Sequence, residues 1–351
     1  MIPNMTQWSR LSRSVVCAAL RVGGCGLKLP GAHPSLAPYR TYEQKPSSGP
    51  ITAVFLGTSS VLFRDEKTAI LTDPFVTRSD LGDIGLRRPI EPNVTRIRET
   101  IERLGVGHID AIVAGHSHYD HVMDAPEFAR LTGAELLGST STENVGLGWP
   151  MLPPAQIKSV KHGETRTYGR FELTFVASQH SRDERFPGPI ESKLTPPLPV
   201  DHWKTGDVWS VFIRHGNRTI LFHGSANATS SPFLPSQQAD LVYLGIGALG
   251  KQPDSFVEEY WLKVVRATGA RRVILVHWDD FFRGLDKPLR PLPYPGDWLP
   301  DTMRRLLQCA ATDGVDVVLP VAWQTTDPFA GLSAKPAPAR LTPHPCQPPR
   351  Q

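Results

Sequence analysis

The sequence predicts an α/β sandwich, two stacked sheets with helices on their outer faces. Three observations carry that expectation. Short apolar runs of strand length recur through both halves of the 351 residues. Stretches with helical spacing punctuate them. The first three strand candidates also follow one another too closely for helices to lie between, which implies an antiparallel meander rather than a simple βαβ chain.

In chain order, 51–56 is the first strand candidate and Gly57-Thr58-Ser59-Ser60 its turn. Strands over 61–64 and 68–72 follow, separated by Asp65-Glu66-Lys67, and Asp73-Pro74 ends the third. Val94, Ile97, Ile101 and Leu104 recur at spacings of three and four, so they mark an amphipathic helix with Asn93 as N-cap and Gly105 as its stop. The run 109–114 reads as a buried strand. A helix starts near Asp124, carries Pro126 in its first turn and ends at Gly133, and 134–138 is a strand.

The second half keeps this rhythm without repeating the sequence. Residues 171–176 alternate and read as a strand ending at Ser178-Gln179-His180. A Pro-rich loop over 181–206 precedes a hairpin, 209–214 with 219–222, closed by His223-Gly224-Ser225. Strands over 241–244 and 273–276 flank a helix that Ser255 and Glu258 are placed to cap, with Gly269 at its end. A second Pro-rich loop covers 281–300, then come a helix over 302–311 and a last strand over 315–319.

Composition narrows the function classes. Forty per cent hydrophobic and 21 % charged residues are an ordinary globular mixture. No run approaches the roughly 18–20 apolar residues of a membrane span. The net charge of +4, from 38 basic and 34 acidic residues, is too small and too dispersed to draw the chain to nucleic acid. The 34 prolines are about twice the usual share and gather in a few loops and the tail. Cys17, Cys25, Cys309 and Cys346 contain no C-x-x-C pair and do not read as a disulfide framework.

These features divide the chain into a leader and linker over 1–49, a folded domain over 50–327 and a Pro-rich tail over 328–351 that reads as disordered. Arg10 and Arg13 precede the apolar run Val15–Leu20, and Val22-Gly23-Gly24-Cys25 resembles a lipobox, in which Cys25 would carry a lipid anchor. Arg21 interrupts that run, so a plain leader on a cytoplasmic protein stands beside a cell-envelope lipoprotein.

One loop concentrates the chemistry. Gly115-His116-Ser117-His118-Tyr119-Asp120-His121 follows the strand over 109–114, at the end where α/β proteins place their sites. His180 and His277 each follow a strand as well. Strands of one sandwich can bring such loops to a common edge. Zinc takes three or four N or O ligands at about 2.0–2.1 Å. His116 and His118 can face one ion, and Asp120 and His121 a second. His162 and His215 sit beside glycines in turns and read as solvated, while His108 and His202 carry no motif.

His-x-His-x-Asp-His resembles the signature of the metallo-β-lactamase superfamily. Asp73, His180 and His277 are similar to further landmarks of that family, so the resemblance covers roughly 51–280. It implies a four-layer αβ/βα sandwich, with His116, His118 and His180 on one metal and Asp120, His121 and His277 on the other. It also implies a zinc-dependent hydrolase in which a metal-bound hydroxide attacks an ester, lactone, amide or phosphodiester, with Asp120 orienting the nucleophile.

Two positions depart from the family. Ser225 stands where a carboxylate usually bridges the metals, so the second ion would be held less tightly. His223 or Asp279 could make up for it, and Asp73 could equally cap its turn. Thr58 stands where the branch of lactonase-like sugar enzymes and N-acyl-phosphatidylethanolamine phospholipase D often has His. That branch is the nearest by its N-terminal turns. Phe186, Trp203 and Trp209 in or beside the first Pro-rich loop, and Phe281, Phe282, Tyr294 and Trp298 in the second, would wall the site for an apolar or lipid-like substrate. The competing expectations are a redox or metal-binding relative with an altered second site, and a non-catalytic binding protein.

Overall fold

The computed structural model describes residues 28–228, 233–333 and 345–346. Two seven-stranded mixed sheets stack face to face with helices outside, the α/β sandwich that the chain order predicts and the four-layer arrangement that the resemblance implies. β1 (Thr52–Phe55), β2 (Val61–Arg64) and β3 (Ala69–Thr72) form the expected antiparallel meander. β4 (Ala111–Val113), β5 (Glu135–Gly138) and β6 (Ile157–Ser159) extend it in parallel.

The second sheet starts with β7 (Thr165–Tyr168), β8 (Phe171–Ser178), β9 (Val208–His215) and β10 (Arg218–His223), all antiparallel neighbours. β11 (Leu241–Gly245), β12 (Arg272–Val276) and β13 (Asp316–Val318) continue in parallel with β10. β14 (Thr325–Thr326) returns to the first sheet beside β1.

Alternation along the strands builds the layers. Phe55, Phe63, Ile70, Val113 and Leu137 point between the sheets and join Phe171, Phe175, Phe222 and Tyr243. Their neighbours Leu56, Leu62, Leu71, Ile112 and Leu136 point outward and join Ile97, Phe128 and Val145 of the covering helices. Both faces are buried, so the strands read as continuous apolar runs rather than half-polar ones. Each fully buried Leu or Phe contributes roughly 1.5–3 kcal/mol from burial, and Phe63 meets Tyr243 edge to face at 5.0 Å.

The helix Val94–Leu104 has Asn93 accepting from the Arg96 amide and ends on Gly105 at φ 62°. The helix Ala125–Thr132 ends on Gly133 at φ 77°. At Asp254–Trp261 the anticipated capping box does not form: the helix begins after Pro253 with no side-chain cap. Glu258 is drawn instead to Arg305 on the neighbouring helix Leu299–Asp313, at 3.0 Å.

The chain ends depart further from expectation. The stretch read as a linker packs on the domain from its first described residue onward: Leu319 donates to Tyr42 O at 2.8 Å, and Gly31 donates to Tyr294 O at 2.7 Å. The start of the tail packs too. Phe329 is buried, and Arg272 donates to the carbonyls of Pro328 and Ala330. Cys309 and Cys346 form a disulfide, which the cysteine spacing had not suggested. The lipobox reading at Cys25 falls outside the described residues. Among the described residues, no helix is long and apolar enough to cross a membrane.

Candidate metal centre

Strand direction explains why the histidines meet. β1, β3 and β4 run one way in the first sheet, and β8, β10, β11 and β12 share one direction in the second. The loops after β1, β3, β4, β8, β10 and β12 carry Thr58, Asp73, His116–His121, His180, Ser225 and His277. All these loops open at one edge of the sandwich.

Main-chain bonds fix the histidine loop there. Ser117 donates to Thr205 O at 2.7 Å, and Trp209 donates to Gly115 O at 2.7 Å. A short helix, Tyr119–Val122, then turns Asp120 and His121 inward. The result is two groups of ligand atoms: His116, His118 and His180 in one, Asp120, His121 and His277 in the other. Within each group the atoms lie within 4.8 Å of one another. The rings of His116 and His121 join the groups at 3.8 Å between centroids.

Three imidazoles have one nitrogen committed to an oxygen outside the cluster. His121 Nδ1 donates to Asp73 Oδ2 at 2.7 Å, His180 Nδ1 to Ser181 O at 3.0 Å, and His118 Nε2 to Phe186 O at 3.3 Å, with Thr205 Oγ1 3.1 Å away. Each arrangement leaves the other nitrogen free of that proton and able to ligate, as metal-binding histidines require. His116 Nε2 is buried with no hydrogen-bond partner among the described residues.

The second group has ligand dimensions. His277 Nε2 lies 3.1 Å from His121 Nε2, His277 Nε2 lies 3.3 Å from Asp120 Oδ2, and His121 Nε2 lies 3.7 Å from Asp120 Oδ2. Ligands about 2.0–2.1 Å from a tetrahedral ion sit about 3.3 Å apart. The three edges bracket that distance, so the donor set fits a small divalent cation.

Electrostatics point the same way for the first group. Burial, reinforced by neighbouring imidazoles, holds His116 well below the ordinary range and His180 down at about 3. Burial also pulls His118 to about 4, although the Asp120 charge opposes it. Neutral imidazoles are the form a cation needs. Burial would lower His121 too, but Asp73 and Asp120 outweigh it and raise the group. Burial would raise Asp120, but His121 and His277 outweigh it and keep the carboxylate ionised.

Residues 68–278, more than half of the chain, match the family described as "Beta-lactamase superfamily domain". The chain belongs to that superfamily. A UPF0173 metal-dependent hydrolase of Cupriavidus taiwanensis is 26 % identical over 186 residues, which cover 51 % of this chain and 58 % of that relative. The first two relatives are thus matched over 58 % and 60 % of their lengths. Among solved structures, the metallo hydrolase Igni18 of Ignicoccus hospitalis aligns at TM-score 0.47 and 12 % identity, over 79 % of this chain and 98 % of that one. CmlA, a diiron β-hydroxylase of Streptomyces venezuelae, aligns at 0.47 and 16 %, over 80 % and 54 %.

Against the superfamily pattern, the remaining candidates fall into different places. Asp73 sits behind His121 and also accepts from the Gly115 amide at 2.6 Å. Ser225 lines the cavity over the cluster. His223 does not stand at the bridging position, because both its nitrogens are taken, by Ser210 Oγ at 2.6 Å and Asn227 O at 2.5 Å. It reaches the cluster through Asn227, whose amide donates to His180 O at 2.8 Å. Asp279 is likewise turned away, paired with Arg78 at 2.7 Å.

The cavity measures about 480 Å³. Phe186, Phe281, Phe282 and Tyr294 line it as anticipated, and Leu81 and Ile84 join them from a short helix, Leu81–Gly85. Trp203, Trp209 and Trp298 do not; all three are buried in the domain. Asn227, Thr205 and Arg78 had no motif to announce them. Asn227 lies two residues beyond Ser225, which is the only local hint.

Proposed function

We propose that the protein is a zinc-dependent hydrolase of small substrates with an apolar portion, acting on an ester, lactone, amide or phosphodiester. The observation that carries this reading is the triangle of Asp120, His121 and His277 at 3.1, 3.3 and 3.7 Å, sized for a tetrahedral cation. His116, His118 and His180 would hold a first ion and this triangle a second. When bound, such ions supply Lewis-acid polarisation of the electrophilic oxygen and a water nucleophile whose pKa falls to about 7.

The chain's own residues do the rest. Asp120, ionised and in contact with His277 and His121, accepts a hydrogen bond from the attacking water and orients it. Asp73 keeps the His121 proton on Nδ1. Phe281, Phe282 and Tyr294 exclude bulk water and accept the apolar part of the substrate.

Elemental analysis of purified protein, followed by a panel of esters, lactones, amides and phosphodiesters, tests the reading. Zinc with turnover that vanishes in His116→Ala/His118→Ala supports it; zinc and turnover both surviving that double change would refute it. Ser225 favours one second reading, a metal-binding or redox relative whose second ion is weakly held. Imidazole ligands, and the set of two histidines and one carboxylate in the second group, suit iron as well as zinc, so iron with oxygen or thiol chemistry and no hydrolysis would decide for it.

A further inference from the structure

His277 is held in an unusual way. It adopts φ +61°, in the left-handed region, and its amide donates to Thr58 O at 2.5 Å. Thr58 is itself left-handed at φ +52°, a costly conformation for a β-branched residue. Something must impose it, because strain of this kind persists only where the surroundings over-determine the backbone.

The imposing group is a buried ion pair. Asp279 Oδ1 accepts from the Thr58 amide at 2.6 Å, while Asp279 Oδ2 accepts from Arg78 Nη1 at 2.7 Å. Arg78 Nη2 donates to Leu56 O at 2.9 Å, just before the same turn. Both side chains are 0 % exposed. Arg78 stands at φ +52° as well. Gly57, at φ +81°, leaves room for the pair: a Cβ there would lie 1.9 Å from Arg78 Nη2 and 2.8 Å from Asp279 Oδ2. The three elements tied together are the turn after β1, the loop after β3 and the loop after β12.

We infer that the Arg78–Asp279 pair is a positioning device for His277, clamping the Thr58 turn from which the His277 backbone hangs and so setting where its imidazole meets Asp120 and His121. The inference rests on the two-ion reading for its functional meaning, but the clamp can be tested without a metal. Neither residue touches the cluster, so both are positioning rather than catalytic residues. A buried charge left without its partner destabilises strongly, whereas neutralising both partners is tolerated far better. The test therefore pairs Asp279→Asn with the charge-free double variant Arg78→Met/Asp279→Asn.

In the metal-free variants, hydrogen exchange should accelerate at the amides of 55–60 and 273–279 and stay unchanged at 111–122. A general loss of stability would speed all three alike. Titration with Zn²⁺ should then show the weaker of two sites loosened roughly 10–100-fold, the usual effect of removing an outer support of a ligand, with the tighter site unmoved. Unchanged exchange at 273–279 in both variants, or a second-site affinity equal to wild type, would overturn the clamp. Local acceleration in a protein whose wild type takes up no Zn²⁺ would support the clamp and overturn the metal reading instead.

Discussion

Asp73→Asn isolates a single proton. Asp73 accepts twice, from the Gly115 amide at 2.6 Å and from His121 Nδ1 at 2.7 Å. Asparagine matches its shape and tolerates the φ of +38° found there. It has only one acceptor oxygen, however. If that oxygen keeps the Gly115 amide, the NH₂ group faces His121 Nδ1. The imidazole must then accept at Nδ1 and carry its proton on Nε2, the atom that lies 3.1 Å from His277 Nε2. The nitrogen needed as a ligand is blocked.

Restoring the ligating tautomer would place two donors against each other and forfeit a charged hydrogen bond worth about 1.5–3 kcal/mol. That corresponds to roughly 10–100-fold in affinity at the site holding His121. Calorimetric titration of metal-free protein with Zn²⁺ reads it directly. The first site should keep its affinity, since neither His118 nor His180 bonds to Asp73. An unchanged second site in a folded Asp73→Asn protein would refute the tautomer argument.

Other consequences are open to simpler measurements. Burial holds His223 down at about 4 against an unfolded value near 6.5, so the unfolded chain binds the extra proton between those values. Stability from this group is complete above about pH 6.5 and lost as pH falls toward 4. Urea midpoints should therefore show wild type losing about 2 kcal/mol more than His223→Gln between pH 7 and pH 5. Phe63→Ala, in the layer between the sheets, should cost about 3–5 kcal/mol in urea denaturation. Cys346→Ser opens a disulfide spanning 37 residues and should lower stability by about 3–4 kcal/mol, seen as a reduced melting temperature that reductant no longer shifts.

Much of this architecture is legible in the sequence because burial writes period and punctuation into it. The meander of β1 to β3, the Asn93 and Gly105 ends of one helix and the histidine loop after β4 all carry local signals. The pairings that complete the site do not. Arg78 and Asp279 lie 201 residues apart; in sequence Arg78 looks like an ordinary surface charge, and Asp279 reads as a stand-in for the bridging carboxylate rather than as its partner. Glu258 has the spacing of a capping box, yet a partner on another helix claims it. The packed ends of the chain were hidden for the same reason: prolines around Phe329 suppress any apolar period, and Arg272 and Cys309 hold that segment from a distance. Strand direction supplies the rest, since it decides that loops far apart in sequence open at one edge.

The central claim is that two groups of side chains each hold a cation, and the metal-to-protein ratio tests it most directly. After reconstitution with Zn²⁺ and removal of excess, elemental analysis of wild type should return more than one equivalent, and His277→Ala should lose the weaker ion while retaining the tighter one. A folded wild-type protein that retains no metal, or a His277→Ala protein that retains as much as wild type, would contradict the account.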